Sequence, residues 1–170
     1  MFAGLSPYGK REASRAEDVG MERFFDLTFS LIAIIMLTPL FMLVIVILAV
    51  TGEREIFFYQ DRVGRNGKIF KLIKFSTMLK ESPKFGTGTV TIKDDPRILP
   101  VGKILRSSKI NELPQLFNIL LGDMSLIGPR PLTPNNFAMY SEDTQREIWK
   151  VRPGLSGIGS IFFRNEEELM

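Results

Sequence analysis

The chain has 170 residues, enough for one ordinary domain, and its 45% hydrophobic and 24% charged content excludes a disordered or collagen-like polymer. A net charge of +3 suits an anionic partner such as phosphate or lipid headgroups, and no nucleic-acid partner is expected from it. The absence of Cys and His excludes disulfides, thiolate nucleophiles, imidazole bases and the common zinc and haem sites. Chemistry must therefore run on carboxylates, Lys, Arg, hydroxyls and backbone N–H groups, with any metal a hard, oxygen-ligated ion such as Mg²⁺.

Residues 1–20 are polar and aperiodic and read as a mobile leader. From Leu27 to Gly52 no residue is charged, and Leu27–Val50 is almost wholly apolar. As a helix this stretch is about 36 Å long, against about 30 Å for a bilayer core, so residues 21–52 are expected in a membrane. Thr38-Pro39 falls in the middle. Pro39 cannot donate to the carbonyl of Ile35, and the Thr38 hydroxyl can satisfy part of the freed backbone. Two readings follow: a kinked helix that crosses, or a re-entrant helix-break-helix that returns to the same face. Basic residues flank both ends, Lys10, Arg11, Arg15 and Arg23 before and Arg54, Arg62, Arg65, Lys68 and Lys71 after, which favours the second.

Residues 53–170 read as a small globular body. Glu55–Val63 and Lys68–Phe75 are rich in strand formers, and Arg65-Asn66-Gly67 between them predicts a hairpin. Residues 80–97 read as a loop. Ile104, Leu105, Leu113, Leu116, Phe117 and Leu120 form a helical stripe. Pro114 is tolerated only in a first turn, so that helix is expected to start near Asn111 and to stop at Gly122. Gly128–Pro131 (GPRP) is a rigid extended turn. Pro134–Lys150 reads as another helix, broken by Arg152-Pro153-Gly154. The fold class is α+β: a re-entrant membrane helix and a small α/β catalytic domain with a β-hairpin and amphipathic interfacial helices.

A helix start near Asn111 offers unpaired N–H groups and positive dipole to a phosphate. Arg106 lies just upstream. Glu112, in the first turn, could hold a Mg²⁺ that also binds a diphosphate. The plainer reading is equally open: Asn111 as an N-cap and Glu112 as a dipole complement. Arg130, between two prolines, is stiffened for a bidentate grip on phosphate, or is a surface Arg in an extended turn. Arg97, Lys74, Arg146, Arg152 and Arg164 are further cations, each more often simply solvated. Asp94-Asp95 before Pro96 offers metal ligands or a turn. GLSGIG (154–159) lacks the Lys-Ser/Thr of a Walker loop.

The run LRSSKINELPQLFNILLGDMSLIGPRP (Leu105–Pro131) closely resembles the signature of the bacterial sugar transferases, the monotopic phosphoglycosyl transferases. FFYQDRVGRNGKIFKLIKF (Phe57–Phe75) resembles that family's hairpin, RPGLSGIG (Arg152–Gly159) its Pro-Gly segment, and Thr38-Pro39 the Ser-Pro that breaks its re-entrant helix. The resemblance implies transfer of a sugar-1-phosphate from a UDP-sugar to undecaprenyl phosphate with release of UMP, in a bacterial plasma membrane at its cytoplasmic face, with Mg²⁺ and as a possible homodimer. It implies an Asp-Glu dyad in which the Asp attacks the β-phosphate and the Glu, here Glu112, helps hold Mg²⁺. It implies phosphate binding by Arg106, Arg130 and, by spacing, Arg164.

Three departures stand out. The dyad's Asp is Asn111, and an amide is a poor nucleophile. Either Glu112, Asp123 or Asp94 attacks, or transfer is direct with Glu112 assisting. The other outcome is a catalytically impaired member that binds lipid phosphate or nucleotide-sugar as a scaffold. The family's Lys-Phe-Arg is Lys74-Phe75-Ser76, one cation fewer, and the chain ends at Met170, short of the usual C-terminal segment.

Overall fold

The structure is a computed structural model that describes residues 7–51, 53–80, 82 and 95–157, with side chains from Gly20 onward. Helix α1 spans Pro7–Thr51, 45 residues. It begins well inside the expected leader. Pro suits a first helical position, where its missing N–H would have no partner, and Lys, Arg, Glu and Ala are good helix formers. Its portion Gly20–Thr51 is long and apolar enough to cross a membrane.

α1 also runs through Thr38-Pro39 without the interruption expected there. The Thr38 hydroxyl donates to the Ile34 carbonyl at 2.8 Å, and the turns on either side of Pro39 stay helical. One face of α1 is buried, through Asp26, Ser30, Phe41, Val44 and Leu48; most of the remainder is exposed, as at Met36 and Val50. That narrow stripe is what ties the helix to the body.

Strands β1 (Phe57–Val63) and β2 (Ile69–Phe75) form the expected antiparallel hairpin, Phe57 facing Phe75 and Val63 facing Ile69. Its turn, Arg65–Gly67, needs positive φ at Asn66 (58°) and Gly67 (73°), which these two residue types tolerate best. Helix α2 covers Pro100–Ser107, a 3₁₀ turn covers Ile110–Glu112, and helix α3 covers Gln115–Leu121. The apolar stripe is thus three pieces. Lys109 takes a left-handed φ of 59°, which separates α2 from the 3₁₀ turn, and Pro114 precedes the first residue of α3. Gly122, at φ 89°, ends α3 as expected.

Two short strands, β3 (Ser125–Ile127) and β4 (Gly154–Ser156), pair in parallel and are not foreshadowed by any alternation in the sequence. Between them lie helices α4 (Pro134–Ala138) and α5 (Glu142–Ile148). The single helix expected over 134–150 is divided because Ser141 is extended and caps α5, its hydroxyl accepting from the Thr144 amide.

The core has two clusters, and α1 serves both. Ala33, Ile34 and Leu37 pack with Phe70, Leu72, Leu116, Ile119 and Met124. Phe41, Val44 and Leu48 pack with Phe75 and Leu105, flanked by Ile56, Phe57 and Leu113. Near the start of the apolar stretch, polar ties add direction. Arg23 donates to the Ile119 and Leu120 carbonyls (2.5 and 2.8 Å), the C-terminal end of α3. Asp26 accepts from the Ser125 hydroxyl and the Leu126 amide, both at 2.9 Å.

Candidate active site

The end of β2 and the 3₁₀ turn bring together residues 38 apart in sequence: the Lys74 ammonium donates to Glu112 Oε1 at 2.7 Å. The link between the two elements is a buried amide. Asn118 of α3 accepts from the Ile73 amide (3.0 Å) and donates to the Lys71 carbonyl (2.8 Å), taking the place a third strand would occupy. Phe75 is fully buried beside Lys74 in sequence, stacked on Phe57 and close to Phe41. The pair is therefore set on a rigid base while its charged ends keep solvent contact, with side-chain exposures of 25% for Lys74 and 35% for Glu112.

Arg130 enters from the GPRP turn. The turn is held at a close backbone crossing: a Cβ on Gly154 would lie 2.1 Å from the Gly128 nitrogen, so neither position has room for a side chain. Hydrogen bonds from Gly128 to the Ser156 carbonyl (3.0 Å) and from Gly154 to the Pro129 carbonyl (2.8 Å) complete it. Arg62 of β1 reaches the same turn, donating to the Pro131 carbonyl at 2.7 Å and to Gln60, while the Val63 amide bonds to the Leu132 carbonyl at 2.9 Å.

Electrostatics show these groups acting on one another. Burial pushes the Glu112 carboxyl up, but Lys74, then Lys109 and Arg130, outweigh it and hold the group below its ordinary value. Burial pushes Lys74 down; Glu112 pulls it back, and Arg62 and Arg130 push it down further. Burial and Arg130 lower Arg62, against the pull of Glu112. Several cations thus surround one carboxylate, an arrangement that favours an anionic ligand.

Of the residues singled out by sequence, Lys74, Glu112 and Arg130 are brought into this cluster. Arg106 lies on the last turn of α2, half-buried, its carbonyl accepting the Lys109 amide. Asn111 is buried and its Oδ1 has no hydrogen-bond partner. The helix start expected at Asn111 is corrected: the Glu112 and Leu113 amides are spent within the turn, on the Lys109 and Ile110 carbonyls (3.1 Å each). The positive charge of this cluster therefore comes from side chains and not from a free helix N-terminus. Arg164, Asp94 and the end of the GLSGIG segment lie outside the described residues.

Arg97 and Asp95 are paired with each other. Arg97 donates to both carboxylate oxygens (2.9 and 2.6 Å) and to the Ser82 carbonyl (2.8 Å), so Asp95 is part of a buried turn and not of a metal site. Arg146 pairs on exposed α5 with Glu142 (3.4 Å). Asp123 follows the far end of α3 from Glu112, its amide bonded to the Asn118 carbonyl. Sequence reasoning missed Arg62 and Lys109 as partners of the site, and Arg23 and Asp26 as its supports.

Among the described residues no three acidic side chains gather to hold a metal. Glu112 still fits a share in Mg²⁺ binding. Its Oε1 is taken by Lys74, and Oε2 has no hydrogen-bond partner among the described residues. Mg²⁺ is commonly held by one or two carboxylates together with phosphate oxygens.

An apolar helix of membrane-crossing length is thus packed along a small α+β body that carries a cation-rich cluster around one carboxylate. The chain belongs to the bacterial sugar transferase family, whose model matches residues 17–170. It is 36% identical over 160 residues to the exopolysaccharide production protein ExoY of Sinorhizobium fredii, covering 85% of this chain and 70% of that one. It is 33% identical over 160 residues to the undecaprenyl-phosphate galactose phosphotransferase of Salmonella typhimurium, covering 86% of this chain and 33% of that one. It is 35% identical over 149 residues to the undecaprenyl-phosphate glucose phosphotransferase of Komagataeibacter xylinus, covering 85% and 28%.

Proposed function

We propose that this chain transfers a sugar-1-phosphate from a UDP-sugar to undecaprenyl phosphate, releasing UMP and initiating assembly of a membrane-linked glycan. The observation that carries this is the Lys74–Glu112 pair set among Arg62, Lys109 and Arg130. Such a group of cations attracts a diphosphate, and neutralising its charge lets an anionic acceptor approach. In the reaction the bond between the bridging oxygen and the β-phosphorus breaks, UMP leaves with that oxygen, and an acceptor phosphate oxygen bonds to the same phosphorus. Lys74 and Arg130 hold the phosphates and stabilise the charge growing on UMP. Glu112, through Oε2, would hold Mg²⁺ with the diphosphate, and the ion supplies further charge neutralisation.

Asn111 is buried and carries an amide, so it does not attack. Asp123 stands at the wrong end of α3. Glu112 is the described carboxylate on which the site's cations act, and it assists a direct transfer between the two bound phosphates.

The same reading places the body at the cytoplasmic face of the plasma membrane, with both ends of α1 on that face although the helix is not broken at Pro39. Support comes from packing on both sides of Pro39: Ala33, Ile34 and Leu37 before it and Phe41, Val44 and Leu48 after it contact the same body. A helix crossing upright would carry that body into the hydrocarbon. Cysteines placed near Gly20 and after Gly52 should both label from the cytoplasm; labelling from opposite faces refutes re-entry.

Activity is tested with purified protein, undecaprenyl phosphate, Mg²⁺ and a panel of UDP-sugars. UMP release that disappears in Glu112→Gln is expected. Mass spectrometry after UDP-sugar alone should show no adduct; a phosphosugar on Glu112 would replace direct transfer by a covalent route. The buried Asn111 amide, whose Oδ1 has no hydrogen-bond partner, favours one second reading, a binding member without turnover. That reading predicts UDP-sugar binding without UMP release, and release restored by Asn111→Asp.

A further inference from the structure

α1 meets the body mostly through apolar side chains, yet near the start of its apolar stretch Arg23, Asp26 and Ser30 share one helix face. Arg23 donates to the Ile119 and Leu120 carbonyls (2.5 and 2.8 Å), and Asp26 Oδ1 accepts from the Ser125 hydroxyl and the Leu126 amide (2.9 Å each). Asp26 is 3% exposed, and Ser30, one turn further on, is fully buried. Neither is saturated: among the described residues, Asp26 Oδ2 and the Ser30 hydroxyl have no hydrogen-bond partner.

A buried carboxyl group with one oxygen unpartnered is a costly way to hold a helix, and an apolar residue would avoid that cost. What the hydrogen bonds add is direction. In lipid, apolar side chains gain little by leaving the acyl tails for one another, so an apolar stripe alone resists sliding weakly. Bonds to one particular amide and two particular carbonyls fix a single register. The elements so tied both run to the candidate site: α3 follows the turn that carries Glu112, and β3 leads into the turn over 128–131 that carries Arg130. Beside the ties, Leu121 and Ile127 are 72% and 79% exposed and Phe24 of α1 is 65% exposed, an apolar surface that suits lipid at this level.

We propose that Arg23 and Asp26 are positioning residues for the lipid-borne acceptor: they fix the register of α1 on α3 and β3, and so set the depth at which the site meets a prenyl phosphate held in the bilayer. The inference rests on the function proposed above. The bilayer sets the depth of the acceptor phosphate, and the seat of the body on α1 sets the depth of the site. A slip of one residue is about 1.5 Å along the helix, and a misplacement of about 1 Å costs up to about a hundredfold in rate. A nucleotide sugar arrives from water and is indifferent to that depth.

The experiment measures UMP release by the full chain, from a panel of UDP-sugars, with two acceptors: undecaprenyl phosphate in lipid nanodiscs, and a short, water-soluble prenyl phosphate in detergent micelles. Asp26→Leu should lower kcat at least about tenfold with the nanodisc acceptor and stay within about threefold of the unsubstituted protein with the soluble one. Asp26→Asn keeps Oδ1 as acceptor for both donors and should stay within about threefold with either acceptor. An equal loss with both acceptors in Asp26→Leu, or none with either, marks Asp26 as merely structural and overturns the proposal. So does an Asp26→Asn as impaired as Asp26→Leu. Where Asp26→Leu fails to fold, Arg23→Leu decides by the same comparison: a loss confined to the nanodisc acceptor supports the proposal, and an equal loss or none overturns it. Failure of the unsubstituted protein to release UMP with either acceptor overturns the proposed function and this inference with it.

Discussion

Two ion pairs in this molecule are built from similar groups and end in opposite states. Asp95 and Arg97 are adjacent but for Pro96, both buried, and bound at both carboxylate oxygens, with Ser82 taking another guanidinium donor. Glu112 and Lys74 come from different elements, share one contact at 2.7 Å, and remain part-exposed, with Lys109 and Arg130 also acting on Glu112. The first pair is closed and holds a turn. The second has a single contact, and among the described residues Oε2 of Glu112 has no hydrogen-bond partner. Bond saturation, more than the mere presence of charge, separates the two pairs.

The sharpest way to break this contrast is at its two acids and bases. Glu112→Gln should cut turnover by roughly 10³-fold while leaving the melting temperature near the native value, since the group is part-exposed. Arg97→Met should do the reverse, lowering the melting temperature through the stranded Asp95 carboxylate while the folded fraction binds uridine diphosphate normally. Should Arg97→Met weaken binding with no loss of stability, the division between the two pairs is wrong.

Asn118 tests the base on which the open pair stands. Asn118→Ala strands the Ile73 amide and the Lys71 carbonyl and should cost about 2 kcal/mol in urea unfolding. Because α3 then loses its register on β2, turnover should fall as well.

The pH response is subtler. The Glu112 carboxyl titrates below its ordinary value, so its contribution to stability is complete above the unfolded-state pKa of about 4.3 and is lost as pH falls through the lower, folded value. Lys74 is the leading cause of that depression. In Lys74→Met the acid-side loss should therefore narrow and the acid limb of the activity profile move to higher pH; an unmoved limb would mean that Lys74 does not govern Glu112. The smallest effect is expected at the solvent-exposed Asp61–Lys71 pair, 2.7 Å apart, where Asp61→Asn should change stability by about 0.5 kcal/mol or less.

Local chemistry made part of this molecule legible before its structure. Asn66-Gly67 marked the hairpin because few other residues accept positive φ there, and Gly122 marked the end of α3 for the same reason. Glu112 and Arg130 were visible as unusual residues, one in a candidate first turn and one between prolines. Their meeting with Lys74 was not, because it depends on Asn118 joining α3 to β2 and on the Gly128–Gly154 crossing, contacts between distant segments that leave no periodicity. The helix start was misplaced because a left-handed Lys is uncommon, and Lys109 adopts that conformation. Arg23 was counted only as a flanking charge because its partners lie about a hundred residues away. Arg62 was counted only as a flanking charge because strand position says nothing of where a long side chain reaches.

The Asn118 amide has one more consequence. A two-stranded ribbon offers an outer edge on each strand, and such edges invite pairing with another chain. On β2 the side chain occupies the middle of that edge, at Ile73 and Lys71, while on β1 the backbone of Leu132 closes the end at Val63. The ribbon is thus partly covered on both flanks without a third strand, which leaves neighbouring copies less free backbone to pair with.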